Sequence, residues 1–131
     1  MMIWNLIWFF TVAWTPIGIE APVNQWGWHV DRWQPVVEEA LEHYGLESEL
    51  DTFMKVMHCE SRGRPNAVNP TSGASGLMQH MPRWWDDRAE QAGFAGYSPL
   101  NPVANIYASV WLLQARGGGW THWECYNMNN D

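Results

Sequence analysis

The stretch 53-FMKVMHCESRGRPNAVNPTSGASGLMQHMP-82 changes character partway along, and that change decides the fold. Upstream of Ser61, Leu50, Phe53, Met54 and Met57 recur at i, i+3, i+4 and i+7, the spacing of one helical face. Ser48, followed three residues later by Asp51, marks the start of that helix as a near capping box. Downstream, Gly63, Pro65, Asn66, Asn69, Pro70, Gly73 and Gly76 allow turns and a short β-hairpin but no long helix. Glu60 stands at the junction. It follows Phe53 by seven residues, almost two turns, so its carboxyl falls on the apolar face of its own helix.

A carboxyl in that place needs a reason. Desolvation disfavours its charged form, and the negative end of the helix dipole pushes the same way, so the pKa is expected to rise. An acid that holds its proton near neutral pH is what general acid catalysis requires. The competing reading is an ion pair with Arg62 or Arg64, which would lower the pKa. The residues alone leave both open.

Outward from this stretch the pattern stays helical. Gln34-Pro35 reads as a cap and first-turn proline, with Val36, Val37, Ala40, Leu41 and Tyr44 on one face and Gly45 as the stop. Pro82 opens a further helix through Trp85, Arg88, Ala89 and Ala92 to Gly93. Asn101-Pro102 repeats the start signal, and Val103, Ile106, Tyr107, Val110 and Leu113 form the longest apolar face, ending at Gly117-Gly118-Gly119. Residues 120–126 add a last short turn. The fold class expected is mainly α: one helical domain over residues 31–131, with a small loop or β insert after the helix that ends near Glu60, preceded by a linker over residues 20–30.

With 131 residues, eleven tryptophans and 47% hydrophobic side chains, the chain can bury one real core and is too short for two domains. Seven basic residues against fourteen acidic ones leave a net charge of −7. No Lys/Arg cluster appears, so nucleic acid is excluded as a partner. Arg62, Arg64 and Arg83 are spread along a loop and read as surface charge or local ties. Binding to an anionic polymer such as a cell wall must then come from shape and hydrogen bonds, because the net charge opposes long-range attraction.

Residues 1–19 carry no charged side chain, which fits an export signal or membrane anchor. They lack a preceding Lys or Arg and a small-x-small cleavage site, so an apolar extension packed on the domain or on a partner is the alternative. Cys59 and Cys125 offer either a disulfide or two separate buried thiols. The disulfide would stabilise by about 4 kcal/mol on the chain-entropy model and needs an oxidising compartment, in agreement with export. Adding His58 and His122 makes no metal site, because adjacent ligands on a helix point in different directions. No metal or cofactor is expected.

The words around Glu60 add a resemblance. Glu60-Ser61, Pro65 with Ala67, Gly73-Ala74-Ser75-Gly76-Leu77-Met78-Gln79 and Met81-Pro82 resemble the first motifs of the soluble lytic transglycosylase (SLT) family, whose catalytic region has a goose-type-lysozyme-like fold. The segment 101-NPVANIYASVWLL-113 is similar to that family's Asn-Pro-x-x-Asn-Ile helix, and the likeness covers about residues 33–123. It implies an α+β lysozyme-like domain in which Glu60 is the catalytic acid and Ser61 holds the turn beneath it. Gly76, Leu77, Met78 and Gln79 would line the cleft floor, and Asn105 would face the cleft from the opposite side. The family's Ala-Tyr-Asn-Ala-Gly segment is replaced here by Glu124-Cys125-Tyr126-Asn127, which leaves Tyr126 as a weaker substrate contact. Compact versions of the domain pair a Cys before the Glu with a late Cys.

The implied reaction cleaves the β-1,4 bond between N-acetylmuramic acid and N-acetylglucosamine in a peptidoglycan strand, with 1,6-anhydro ring formation. A muramidase using water is the alternative enzyme. It needs a second carboxylate, for which Asp86 and Asp87 are the mid-domain acids, although they read as a solvated helix face. A non-catalytic glycan-binding wall module is the third reading, with Trp26, Trp28, Trp84, Trp85, Trp120 and Trp123 as sugar platforms. All three place a monomer outside the cytoplasm, in the cell envelope, extracellular, membrane-anchored or, if the source is viral, associated with a virion or with lysis.

Overall fold

The computed structural model describes residues 25–130. The order is α1 (Trp28–Asp31), α2 (Gln34–His43), a 3-10 turn (Glu47–Glu49), α3 (Leu50–Ser61), α4 (Pro82–Gln91), α5 (Pro102–Gln114), a second 3-10 turn (Trp120–His122) and α6 (Glu124–Asn130). The domain is mainly helical, as the periodicity predicts. The insert between α3 and α4 is a loop whose only β character, among the described residues, is two isolated antiparallel bridges, Val68 with Ser75 and Ser75 with His80. No helix of the described residues is long and apolar enough to cross a membrane. The apolar segment 1–19 and most of the linker lie outside the described residues.

The start signals land within a residue, with one exception. Gln34 is the first helical residue, and Trp33 takes the cap position. Met81 caps α4, and Asn101 caps α5, its side chain accepting the Ala104 N–H at 3.0 Å. The capping box at Ser48 and Asp51 does not form. Ser48 lies inside the first 3-10 turn, α3 begins after Glu49, and no side chain caps it. The chain turns instead through a backbone bond from Glu49 N–H to the Leu46 carbonyl at 2.9 Å. Residues 28–30, read as linker, form α1 together with Asp31, and Val30 and Asp31 are buried.

One core joins the helices. Val37 and Leu41 of α2, Phe53 and Met57 of α3, and Ile106 and Val110 of α5 are fully buried, with Trp123 and Cys125 closing the far side. Helix α5 is buried on more of its circumference than its apolar stripe suggests. Val103 is 38% exposed, whereas Ala104, Asn105, Ala108 and Ser109 are buried. The cause is packing on two sides: α2 covers one face and α4 another. Ala104 and Ala108 are small enough to admit Trp85 and Ala89 of α4. The disulfide Cys59–Cys125 then ties the end of α3 to α6 across a separation of 66 residues.

Candidate active site

Glu60 occupies the last turn of α3 and is half-buried. Burial raises its pKa above the ordinary carboxyl value of 4.5, and the nearby Glu124 carboxylate pushes it further up. One contact opposes these: the backbone N–H of Cys125 donates to Glu60 Oε1 at 3.4 Å. No arginine acts on the group, so the ion pair left open by the sequence is not made. The disulfide explains how residues 60 and 124–125 meet, since it fixes α6 beside the residue preceding Glu60.

Below the carboxyl the chain must turn sharply. Ser61 is buried, its hydroxyl donating to the Met57 carbonyl at 3.3 Å and accepting the Gly63 N–H at 3.1 Å. The turn runs through Arg62 at φ 54 and Gly63 at φ 74. Gly63 is irreplaceable on space as well as on dihedral, because a side chain there would strike the His29 backbone. Its carbonyl accepts the Trp33 indole N–H at 3.0 Å, which locks the turn to the start of α2.

The Gly76 to Gln79 segment is held from underneath by α5. Asn105 is buried, accepts the Met78 N–H at 2.9 Å, and donates to the Ser75 carbonyl at 3.2 Å and the Pro99 carbonyl at 2.8 Å. Expected to face the cleft, it instead has no exposed surface and serves as the strap of the loop. Leu77 and Met78, expected on the cleft floor, are likewise fully buried and pack below it. Gly76 lies directly over Asn105, with φ 83, and any Cβ there would collide with that amide. Gln79 is half-exposed at φ 52, and its amide nitrogen donates to the Ala67 and Gly76 carbonyls at 3.1 and 2.9 Å. Tyr126 stacks on Trp120 with ring centroids 5.8 Å apart and is half-buried.

A polar chain that the sequence did not signal supports Asn105 from behind. His80 is fully buried and its Nδ1 faces the Arg88 guanidinium at 3.1 Å. Arginine can only donate, so Nδ1 accepts and the ring proton sits on Nε2, which donates to Ser109 Oγ at 2.7 Å. Ser109 passes its own proton to the Asn105 carbonyl at 2.8 Å. Burial, then the Arg88 charge, pushes the His80 pKa down to about 3, so the ring is neutral. The i, i+4 spacing of Asn105 and Ser109 is the only trace of this network in the sequence, and nothing local links it to His80.

Of the tryptophans weighed as sugar platforms, Trp85 and Trp123 are only 3% and 4% exposed and cannot offer a face to a ligand. The Trp123 indole donates to the Met78 carbonyl at 2.9 Å and thereby joins the loop to the α6 side. Trp28 and Trp84 are exposed. Asp86 and Asp87 lie on the exposed side of α4.

Comparison with known proteins fits this arrangement. The family described as Transglycosylase SLT domain matches residues 35–128. The "Probable transglycosylase SceD" of Staphylococcus aureus (strain MRSA252) is 36% identical over 73 residues, which is 56% of this chain and 31% of the relative. The protein of that name from strain Newman is 39% identical over 64 residues, 49% of this chain and 27% of the relative. The match thus spans less than a third of these relatives' length. The family match runs from the first turn of α2 into α6 and takes in Glu60, the strapped loop and Asn105, so the chain belongs to the transglycosylase SLT domain family.

Proposed function

We propose that the chain is a peptidoglycan lytic transglycosylase that cleaves the β-1,4 bond between N-acetylmuramic acid and N-acetylglucosamine, with Glu60 as both acid and base. The observation that carries this reading is the state of Glu60: a half-buried carboxyl at a helix end, with no cationic partner and a pKa raised by desolvation. In the protonated form it donates to the bridging oxygen. The glycosidic C–O bond breaks, N-acetylglucosamine leaves with its 4-hydroxyl, and oxocarbenium character develops at the muramic C1. The Glu60 carboxylate then removes the proton of the muramic 6-hydroxyl, O6 bonds to C1, and the 1,6-anhydro ring closes. Glu60 ends protonated, and no water is consumed. An internal hydroxyl replaces a water that a second carboxylate would otherwise activate.

Gln79 and Tyr126 are the half-exposed members of the expected cleft and are assigned to sugar contacts. Ser61, Gly76, Leu77, Met78 and Asn105 act through the backbone they hold. The disulfide supports an oxidising location, the envelope or the exterior, where the wall is found. Digestion of purified peptidoglycan followed by mass spectrometry of the released muropeptides is the test. Anhydro-muramic ends are expected. Reducing ends would make the chain a muramidase, and no release by a folded chain would leave a binding module.

A further inference from the structure

Helix α3 and its C-cap carry a second face, away from Glu60, that borders a groove. Lys55, His58, Cys59 and Arg62 follow one another at i, i+3, i+4 and i+7, and with Trp26 they line a groove of about 350 Å³. The Trp26 indole leans on the His58 ring at 5.3 Å between centroids and forms one wall. Among the described residues neither the Lys55 ammonium nor the Arg62 guanidinium has a hydrogen-bond or ion-pair partner, and Arg62 bonds only through its backbone N–H, to the His58 carbonyl at 3.1 Å. Two unpaired cations in one groove stand out in a chain of net charge −7. Asp51, one turn up the helix, lines a separate cavity on the other side of Trp26.

Arg62 supplies an independent observation. It ends α3 at φ 54 and ψ 32, a left-handed position normally given to glycine or asparagine. A long charged side chain kept there at some backbone cost points to a use for the side chain. The groove also lies next to the chemistry, because Cys59 in its wall directly precedes Glu60, about 100° round the helix.

We propose that this groove binds the α-carboxylate of the D-glutamate in the peptide that muramic acid carries on its lactyl group, the charge that amidation to isoglutamine removes while the γ-carboxylate stays. Lys55 and Arg62 hold the carboxylate while Trp26 packs against the peptide stem. The assignment rests on the proposed action on peptidoglycan. The peptide leaves the same sugar ring whose C1 is attacked, so a strand placed at Glu60 brings its peptide within a few bonds of α3. Charge-assisted contacts in a half-open groove would set which strands are cut, by distinguishing acidic from amidated peptides.

The test is a binding titration of the full chain with muramyl-L-alanyl-D-glutamate and with its amidated counterpart, muramyl-L-alanyl-D-isoglutamine, while the Trp26 indole N–H is followed by NMR. The acidic form is expected to bind roughly tenfold more tightly, as the loss of a charged hydrogen-bond partner implies. The preference should vanish in the double variant Lys55→Gln/Arg62→Asn, in which asparagine tolerates the left-handed backbone, and should survive in Lys55→Arg. Equal affinity for the two probes, no measurable binding of either, or a preference that persists in the double variant overturns the proposal. So does tighter binding of a glycerol phosphate oligomer, which would make the groove a phosphate site. Binding is read without turnover, so a chain that prefers the acidic probe but releases no muropeptides sinks the proposed reaction and not the groove. Release of anhydro ends without that preference does the reverse.

Discussion

Two titratable side chains, Glu60 and His80, are both pushed by burial toward their neutral forms, yet the protein treats them in opposite ways. His80 is sealed: every ring nitrogen has a partner, and its proton is fixed on Nε2 by Arg88 on one side and Ser109 on the other. Glu60 is half-open, with one long hydrogen bond from Cys125 and, among the described residues, no counter-ion. The same desolvation therefore acts on a fully bonded ring in one place and on a half-open carboxyl in the other. What separates them is the number of saturated contacts; the pKa of each moves toward its neutral form, up for Glu60 and down for His80.

The comparison breaks most visibly at Glu60. Glu60→Gln keeps the shape and removes the proton, so wall lysis should fall by about 10³-fold with the fold intact, measured by turbidity loss alongside circular dichroism. Unchanged lysis would place the chemistry elsewhere. Next in size is the disulfide. Cys59→Ser with Cys125→Ser should lower unfolding stability by about 4 kcal/mol in denaturant titrations and loosen the segment that carries Glu124 and the Cys125 N–H. A loss well under about 1 kcal/mol would mean that α6 docks through packing alone.

On the sealed side, Asn105→Ala strands the Met78 N–H and two carbonyls, and should cost about 3 kcal/mol in the same titration. The smallest effects are those of pH. His80 has a folded pKa of about 3, below its ordinary 6.5, so the unfolded chain takes up the proton first and stability falls as pH drops through that window. His80→Gln should flatten this fall. Glu60 works the other way: its folded pKa is raised, so its contribution is complete below 4.5 and is lost as pH rises through the folded pKa. Glu60→Gln should accordingly melt slightly above the wild type at neutral pH and match it in acid. Identical melts at both pH values would mean that the carboxyl is not desolvated.

The helices were legible because their signals are local. Pro35, Pro82 and Asn101 mark starts by fixing a dihedral or capping an N–H, and Gly45 and Gly93 mark stops by tolerating positive φ. Glu60 was legible because helical period alone places it on the apolar face. What the sequence left open shares another cause. Asn105, Leu77 and Met78 belong to the right neighbourhood, but which side of the loop a side chain takes depends on α5 rising beneath it, a contact between residues about 30 apart. Period could not show that α5 is enclosed by two helices, nor that His80 reaches Ser109. The Ser48 signal failed because a 3-10 turn satisfied the same backbone by other means.

The central claim is that burial, with no counter-ion among the described residues, raises the Glu60 pKa. A carbon-13 NMR titration of the Glu60 side-chain carboxyl, assigned by its absence in Glu60→Gln, reads this directly. A midpoint above the ordinary 4.5 is predicted, moving down when the disulfide is reduced if α6 is what excludes water. A midpoint at or below 4.5 would contradict the account, since a carboxyl ionised that readily has either water or a cation beside it.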